Sequence, residues 1–167
     1  MPNRSLRGAY FGLSAMVIAA DRLTKYVVAH RVVLNYESIP VLPGCLSITH
    51  VENSGAAFSL FAEWPAHVRV PLLIGFSTAA MLVVGWMLWR SAGRSLVLSL
   101  ALAFILGGAV GNLYDRILYG RVTDFLHFYI GTHVWPDFNL ADSAIVCGAV
   151  LLGWDLIFGG EGTKAAN

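Results

Sequence analysis

The sequence predicts an all-α integral membrane protein: four transmembrane helices with a small β-sheet subdomain outside the spans and a short surface helix, in a single membrane domain over 1–167. Three observations predict it. Hydrophobic residues make up 57% of the chain and charged residues 13%, against roughly 25% charged in soluble domains. The stretches 70–89 and 95–114 carry no charge over the about 20 residues that cross a bilayer. Between the apolar runs lie segments rich in β-branched residues and broken by Pro and Gly, which read as strands and turns.

The first span, 8–29, is apolar until Asp21. Arg4 and Arg7 followed by an apolar core with small residues at its end also fit a cleavable signal peptide. Leu23, Val27 and Val28 carry the hydrophobic pattern past Asp21 and favour a retained helix. In the segment 30–69, "VVLNYESIPVLPGCLSITHVENSG" has strand-and-turn composition, and "AAFSLFAEW" (56–64) has the pattern of a short amphipathic surface helix ending before Pro65. A second outer segment, 115–139, contains "RVTDFLHFY", whose alternation suits an extended strand. The fourth span, 140–158, carries Asp142 near its start and Asp155 near its end. Cys45 and Cys147 lie in such different contexts that a disulfide is not expected.

Charge leaves the orientation open. With both termini on the cytoplasmic side, that side holds five Lys and Arg and the other holds six, which decides nothing by a positive-inside count. The net charge of +1 and the lack of a basic face exclude a nucleic-acid partner.

A charge placed at the bilayer centre costs roughly 2.5–3.5 kcal/mol, and such residues tend to be functional. Here the misplaced polar groups fall at span ends facing one side: Asp21 and Lys25, then Asn112, Asp115 and Arg116, then Asn139 and Asp142, with Asp124 between the last two spans. Each has a plain structural reading. Asp21 and Lys25 are spaced as an ordinary surface ion pair. Gly107-x-x-x-Gly111 is a helix-packing pattern. Gly108, Asn112 and Arg116 share one helical face, from which Arg116 would snorkel to the headgroups, while Asn112 lies a turn deeper and needs a partner. Asn139 with Asp142 approximates a capping box. Asp124 is harder to explain away, because in an extended chain it shares a face with Val122, Leu126 and Phe128. Two carboxylates brought together in such surroundings share a proton, giving a base and an acid around one water. Of the two, Asp142 at a helix N-terminus is the readier to ionise and Asp124 the better proton holder. Zinc-ligand spacing and a serine-nucleophile elbow are both absent from the sequence, so neither a metal nor a cofactor is expected.

Five motifs in order, "DRLTK" (21–25), "NSGAAF" (53–58), "GGAVGNLYDR" (107–116), "VTDF" (122–125) and "FNLADSA" (138–144), resemble those of the lipoprotein signal peptidases (signal peptidase II). The resemblance covers about residues 8–158. It implies an aspartic endopeptidase of the bacterial inner membrane that removes the signal peptide from diacylglyceryl-modified prolipoproteins, N-terminal to the lipidated cysteine. Asp124 and Asp142 would be the catalytic pair. Asp21, Lys25, Asn53, Gly55, Gly108, Asn112, Arg116, Asn139 and Ala141 would support the site or bind substrate. It further implies both termini cytoplasmic, a site at the extracytoplasmic face, membrane lipid as a partner and a monomeric state. Ser54 departs from the pattern, standing where many members have Thr. From the residues alone, a proton-coupled transporter and a scaffold that binds lipidated peptides remain rivals, since buried Asp and Asn also mark ion pathways.

Overall fold

Helix α3 (Leu96–Tyr119) is the post against which helices α1 (Arg4–Arg31), α2 (Ala66–Ser91) and α4 (Leu140–Phe158) pack, α4 most extensively. The computed structural model describes residues 4–55, 61 and 63–158. Helix α3 starts at Ser95, whose Oγ accepts the Leu98 N–H at 3.2 Å as an N-cap. Its contact faces are lined by small residues. A Cβ at Gly107 would meet Val17 and the Ser14 carbonyl of α1, and one at Gly108 would meet the Ala141 carbonyl of α4. Close backbone approach of this kind is how helices associate where lipid removes the hydrophobic drive.

Among the described residues, α2, α3 and α4 are long and apolar enough to cross a membrane. Their outward faces are greasy, with Phe76 on α2 and Leu156 on α4 67% and 76% exposed, a surface that suits lipid rather than water. Helix α1 has the length, at 28 residues, but Asp21, Arg22 and Lys25 lower its apolar character.

Helices α1, α2 and α3 run past the spans read from sequence, α1 covering Arg4–Arg31 against 8–29. Helix α2 begins at Ala66, directly after Pro65. Helix α3 continues past Tyr114 to Tyr119 because Gly120, at φ 67°, takes the left-handed cap and donates its N–H to the Arg116 carbonyl at 3.1 Å. Asp115 and Arg116 therefore ride on the helix instead of opening the outer segment.

The two outer segments meet in one antiparallel sheet ordered β1 (Ile39–Leu42), β2 (Leu46–Asn53), β3 (Val122–Ile130) and β4 (His133–Val134). Val51 pairs with Asp124 and Asn53 with Val122, after a bulge between Ile48 and Val51. Beyond β4 the chain returns so that Phe138 bridges Leu126, which carries Asn139 to the foot of β3. Under the sheet Val28, Val32 and Phe125 form a small buried cluster with Ile48, Leu126 and Leu140. A second cluster (Leu88, Ala92, Leu102, Ala103 and Leu106) closes the opposite end between α2 and α3. The surface helix expected over 56–64 falls largely outside the described residues. Of those that are described, Trp64 donates its N–H to the Phe61 carbonyl at 3.0 Å in a turn, with Phe61 at φ 65°.

Candidate active site

The polar residues picked out by sequence converge where the sheet meets the ends of α1, α3 and α4. Asp21 and Lys25 are not a surface pair: they are 0% and 2% exposed, with Lys25 Nζ 2.9 Å from Asp21 Oδ2. The ammonium also meets Asp115 Oδ2 at 2.8 Å and Asn112 Oδ1 at 3.0 Å, so its three donors face three acceptors. Arg22 pairs with the other oxygen of Asp115 and lies 4.3 Å above the Tyr114 ring. Asp21 uses its second oxygen to accept the Ala141 N–H at 3.0 Å, one of the orphan donors at the start of α4. Gly111 leaves room for this, since a Cβ there would meet the Asp21 carboxylate and the Ala141 side chain.

From this base a chain of amides runs to both candidate acids. With Asn112 Oδ1 facing Lys25, its Nδ2 points outward and donates to Asp142 Oδ1 at 2.7 Å. Asn139 Nδ2 donates to Asn112 Oδ1 at 3.2 Å and to Asp124 Oδ1 at 2.7 Å. Asn53 Nδ2 donates to Asp124 Oδ2 at 3.0 Å, and its Oδ1 accepts the Gly55 N–H at 2.9 Å. The capping box at α4 is present in both directions: the Asp142 N–H reaches Asn139 Oδ1 at 2.9 Å, and the Asn139 N–H reaches Asp142 Oδ2 at 3.2 Å. Capping and site-building are thus one arrangement.

Arg116 does not snorkel away. Its guanidinium points back along α3 toward the Asn112 carbonyl and across to the Gly55 carbonyl, both at 3.4 Å, within the field of Asp142 and Asp124. Asp124 is 2% exposed. Burial first, and the neighbouring Asp142 carboxylate second, push its carboxyl up to about 7, against the lowering pull of the Asn53 and Asn139 amides. Asp142 is only half-buried and forms the open edge of the cluster.

Each residue named from the sequence is in or directly beneath this cluster, including Gly108 and Ala141, which touch across α3 and α4. Asp115 stands out in the sequence as a misplaced polar group but is given no part in the site there, although its place three residues after Asn112 on a helix was the available signal. Sequence reasoning also left out a clamp above the site. Asp137 accepts from Thr49 Oγ1 at 2.9 Å and pairs with His127 Nδ1 at 2.5 Å, tying the return segment to β2 and β3. No spacing in the sequence announces that contact.

Fold and site together define a membrane-embedded helical protein with a buried acid–amide cluster opening at one end of its bundle. Residues 13–158 match the family model described as signal peptidase (SPase) II. The lipoprotein signal peptidase of Desulforapulum autotrophicum is 46% identical over 146 residues, covering 87% of this chain and 90% of that one. The lipoprotein signal peptidase of Solibacter usitatus is 39% identical over 152 residues, covering 91% and 92%. A solved bacterial membrane enzyme, determined by the in meso method at 2.3 Å, superposes with a TM-score of 0.81 at 27% identity, covering 96% of this chain and 92% of that one. The chain belongs to the signal peptidase II family and is a membrane peptidase.

Proposed function

We propose that this protein removes the signal peptide from diacylglyceryl-modified prolipoproteins, cutting N-terminal to the lipidated cysteine, as an aspartic endopeptidase with Asp124 and Asp142 as its dyad. The observation that carries the dyad is the shared amide scaffold: Asn139 holds Asp124 at 2.7 Å while Asn112 holds Asp142 at 2.7 Å, and the two amides bond to each other at 3.2 Å. The two carboxylates are thus joined through one continuous run of side-chain hydrogen bonds.

The charges favour one proton on the pair. Asp21, Asp115, Asp124 and Asp142 face Arg22, Lys25 and Arg116, and a single proton shared by the dyad makes the cluster neutral. Asp124, with its carboxyl near 7, is the proton holder. Asp142, at the start of α4, takes a proton from water. The water oxygen then bonds to the scissile carbonyl carbon while Asp124 protonates the carbonyl oxygen. When the carbon–nitrogen bond breaks, the proton taken up by Asp142 goes to the departing amine, the new N-terminus, while one hydroxyl of the tetrahedral intermediate returns its proton to Asp124 and leaves the signal peptide's new carboxyl group. Arg116 and the Gly55 backbone stand where they would hold the substrate main chain.

Four spans fit the same reading. Helix α1 turns its charges inward against α3 and shows Met16, Leu23 and Tyr26 outward at 64%, 63% and 60% exposure, as a lipid-facing helix would. With α1 retained, both termini lie in the cytoplasm and the dyad at the extracytoplasmic face of the inner membrane. The protein acts as a monomer that meets membrane lipid directly and needs no nucleic acid. The purified chain in liposomes should cleave a diacylglyceryl-modified precursor and leave the unmodified one intact, with mass spectrometry placing the cut before the lipidated cysteine. Equal cleavage of both precursors, or a cut elsewhere, would overturn the substrate assignment.

A further inference from the structure

At the bundle end opposite the dyad, α1 and α2 touch only lightly and stand apart over α3. The gap is a cleft of about 450 Å³, inside the roughly 300–1,000 Å³ range of small-molecule sites. Phe11 and Ile18 form one wall, Met81, Gly85, Trp86 and Trp89 the other, and Leu106 lies at the floor. Ser14 also lines it, but its hydroxyl is committed to the Tyr10 and Ala103 carbonyls at 3.2 and 2.9 Å. The cleft therefore has an apolar lining with no free polar handle of its own.

Its rim supplies the handle. The Arg7 guanidinium lies 4.6 Å above the Trp89 ring and that of Arg90 lies 5.9 Å from the Trp86 ring, so both cations stand on cleft-lining tryptophans. Arg94 follows in the adjoining turn. Among the described residues no carboxylate pairs with Arg7, Arg90 or Arg94, and Arg7 Nε is buried without a hydrogen-bond partner. The one acid of α4 at this end, Asp155, is engaged by the Ser95 hydroxyl at 2.5 Å. An apolar slot beneath two guanidiniums that no described carboxylate neutralises is complementary to an acyl chain carrying a phosphate, the group that arginine's planar fork binds bidentately.

We propose that the α1–α2 cleft binds one anionic phospholipid, with an acyl chain between Phe11 and Gly85 and the headgroup phosphate on Arg7 and Arg90. The occupant comes from the leaflet at the N-terminal end of α1. The site rests on membrane embedding and not on the peptidase reading. By filling the gap the lipid fastens α1 to α2, and α1 is the helix whose far end supplies Asp21 and Lys25.

The test uses the full chain, delipidated in detergent. Brominated phosphatidylglycerol should quench its tryptophan fluorescence with an apparent affinity about tenfold tighter than brominated phosphatidylcholine. Phosphatidylcholine with added inorganic phosphate should not reproduce this. Arg7→Gln with Arg90→Gln should abolish the preference. Gly85→Leu should block the chain while leaving the arginines, because a Cβ there has ordinary room, 3.8 Å from Leu106 Cδ1. Native mass spectrometry of the wild type, which needs no variant to fold, should retain one phosphatidylglycerol. Equal quenching by the two lipids, a phosphate effect without anionic lipid, or a preference that survives the paired arginine substitutions or Gly85→Leu would overturn the proposal.

Discussion

Asn139 donates one side-chain N–H to Asp124 at 2.7 Å while its carbonyl oxygen receives the Asp142 N–H at 2.9 Å. One amide thus sets the first turn of α4 against the strand that carries the other acid. Asn139→Ala should lower kcat by about a hundredfold, the scale of losing one preorganised donor. It should also destabilise the fold by about 1–3 kcal/mol as buried partners lose their hydrogen bonds. Kinetics and thermal unfolding in detergent check both. Near wild-type kcat would show that the amide is only a cap.

The raised Asp124 carboxyl gives a pH signature. Its value of about 7 exceeds the ordinary 3.8, so between those values the folded chain binds a proton that the unfolded chain has lost. Stability should therefore fall as pH rises from about 4 to about 7 and level off above. Asp124→Asn should flatten that slope. The wild-type rate should decline as pH rises through about 7, where the dyad loses its shared proton. A rate still rising past that point would contradict Asp124 as the proton holder.

Lys25 neutralises two buried acids at once. Lys25→Met should cost about 3–5 kcal/mol, because it strands Asp21 and Asp115. Adding Asp115→Asn should recover part of the loss, and equilibrium unfolding in detergent measures both. Additive losses in the double variant would show that the three residues are not one network.

The clamp of Thr49, His127 and Asp137 lies beside the dyad without touching it. We expect Asp137→Ala to reduce kcat about tenfold with little change in KM, because Asn139 loses its fixed approach to Asp124 while the substrate groove is left alone. Asp137→Asn keeps an acceptor for Thr49 and should recover part of kcat. Equal losses in both variants, or a change confined to KM, would rule out this positioning role.

Much of this was legible in sequence because lipid imposes simple rules. Uncharged runs such as 70–89 must be helices, and Asp124 in an apolar strand pattern had to be explained by chemistry or by a partner. The helical spacing of Gly108, Asn112 and Arg116 correctly placed all three on the face turned to the site. What escaped depends on contacts between distant segments. Asp21 and Lys25 look like a surface pair until α3 brings Asp115 against them. The grip of Asp137 on Thr49 and His127 follows from the β2–β3 register and its bulge, which no local pattern encodes. The end of α3 was misplaced because Asp115 and Arg116 look like a helix terminus, whereas the cap comes later, at Gly120.

The most direct measurement is single-turnover cleavage of a diacylglyceryl-modified precursor by Asp124→Asn and Asp142→Asn, each shown to fold by a cooperative unfolding transition in detergent. A shared-proton dyad predicts that each variant alone loses about a thousandfold or more in rate, and that the double variant loses little beyond that. Near wild-type cleavage by either folded single variant would contradict it.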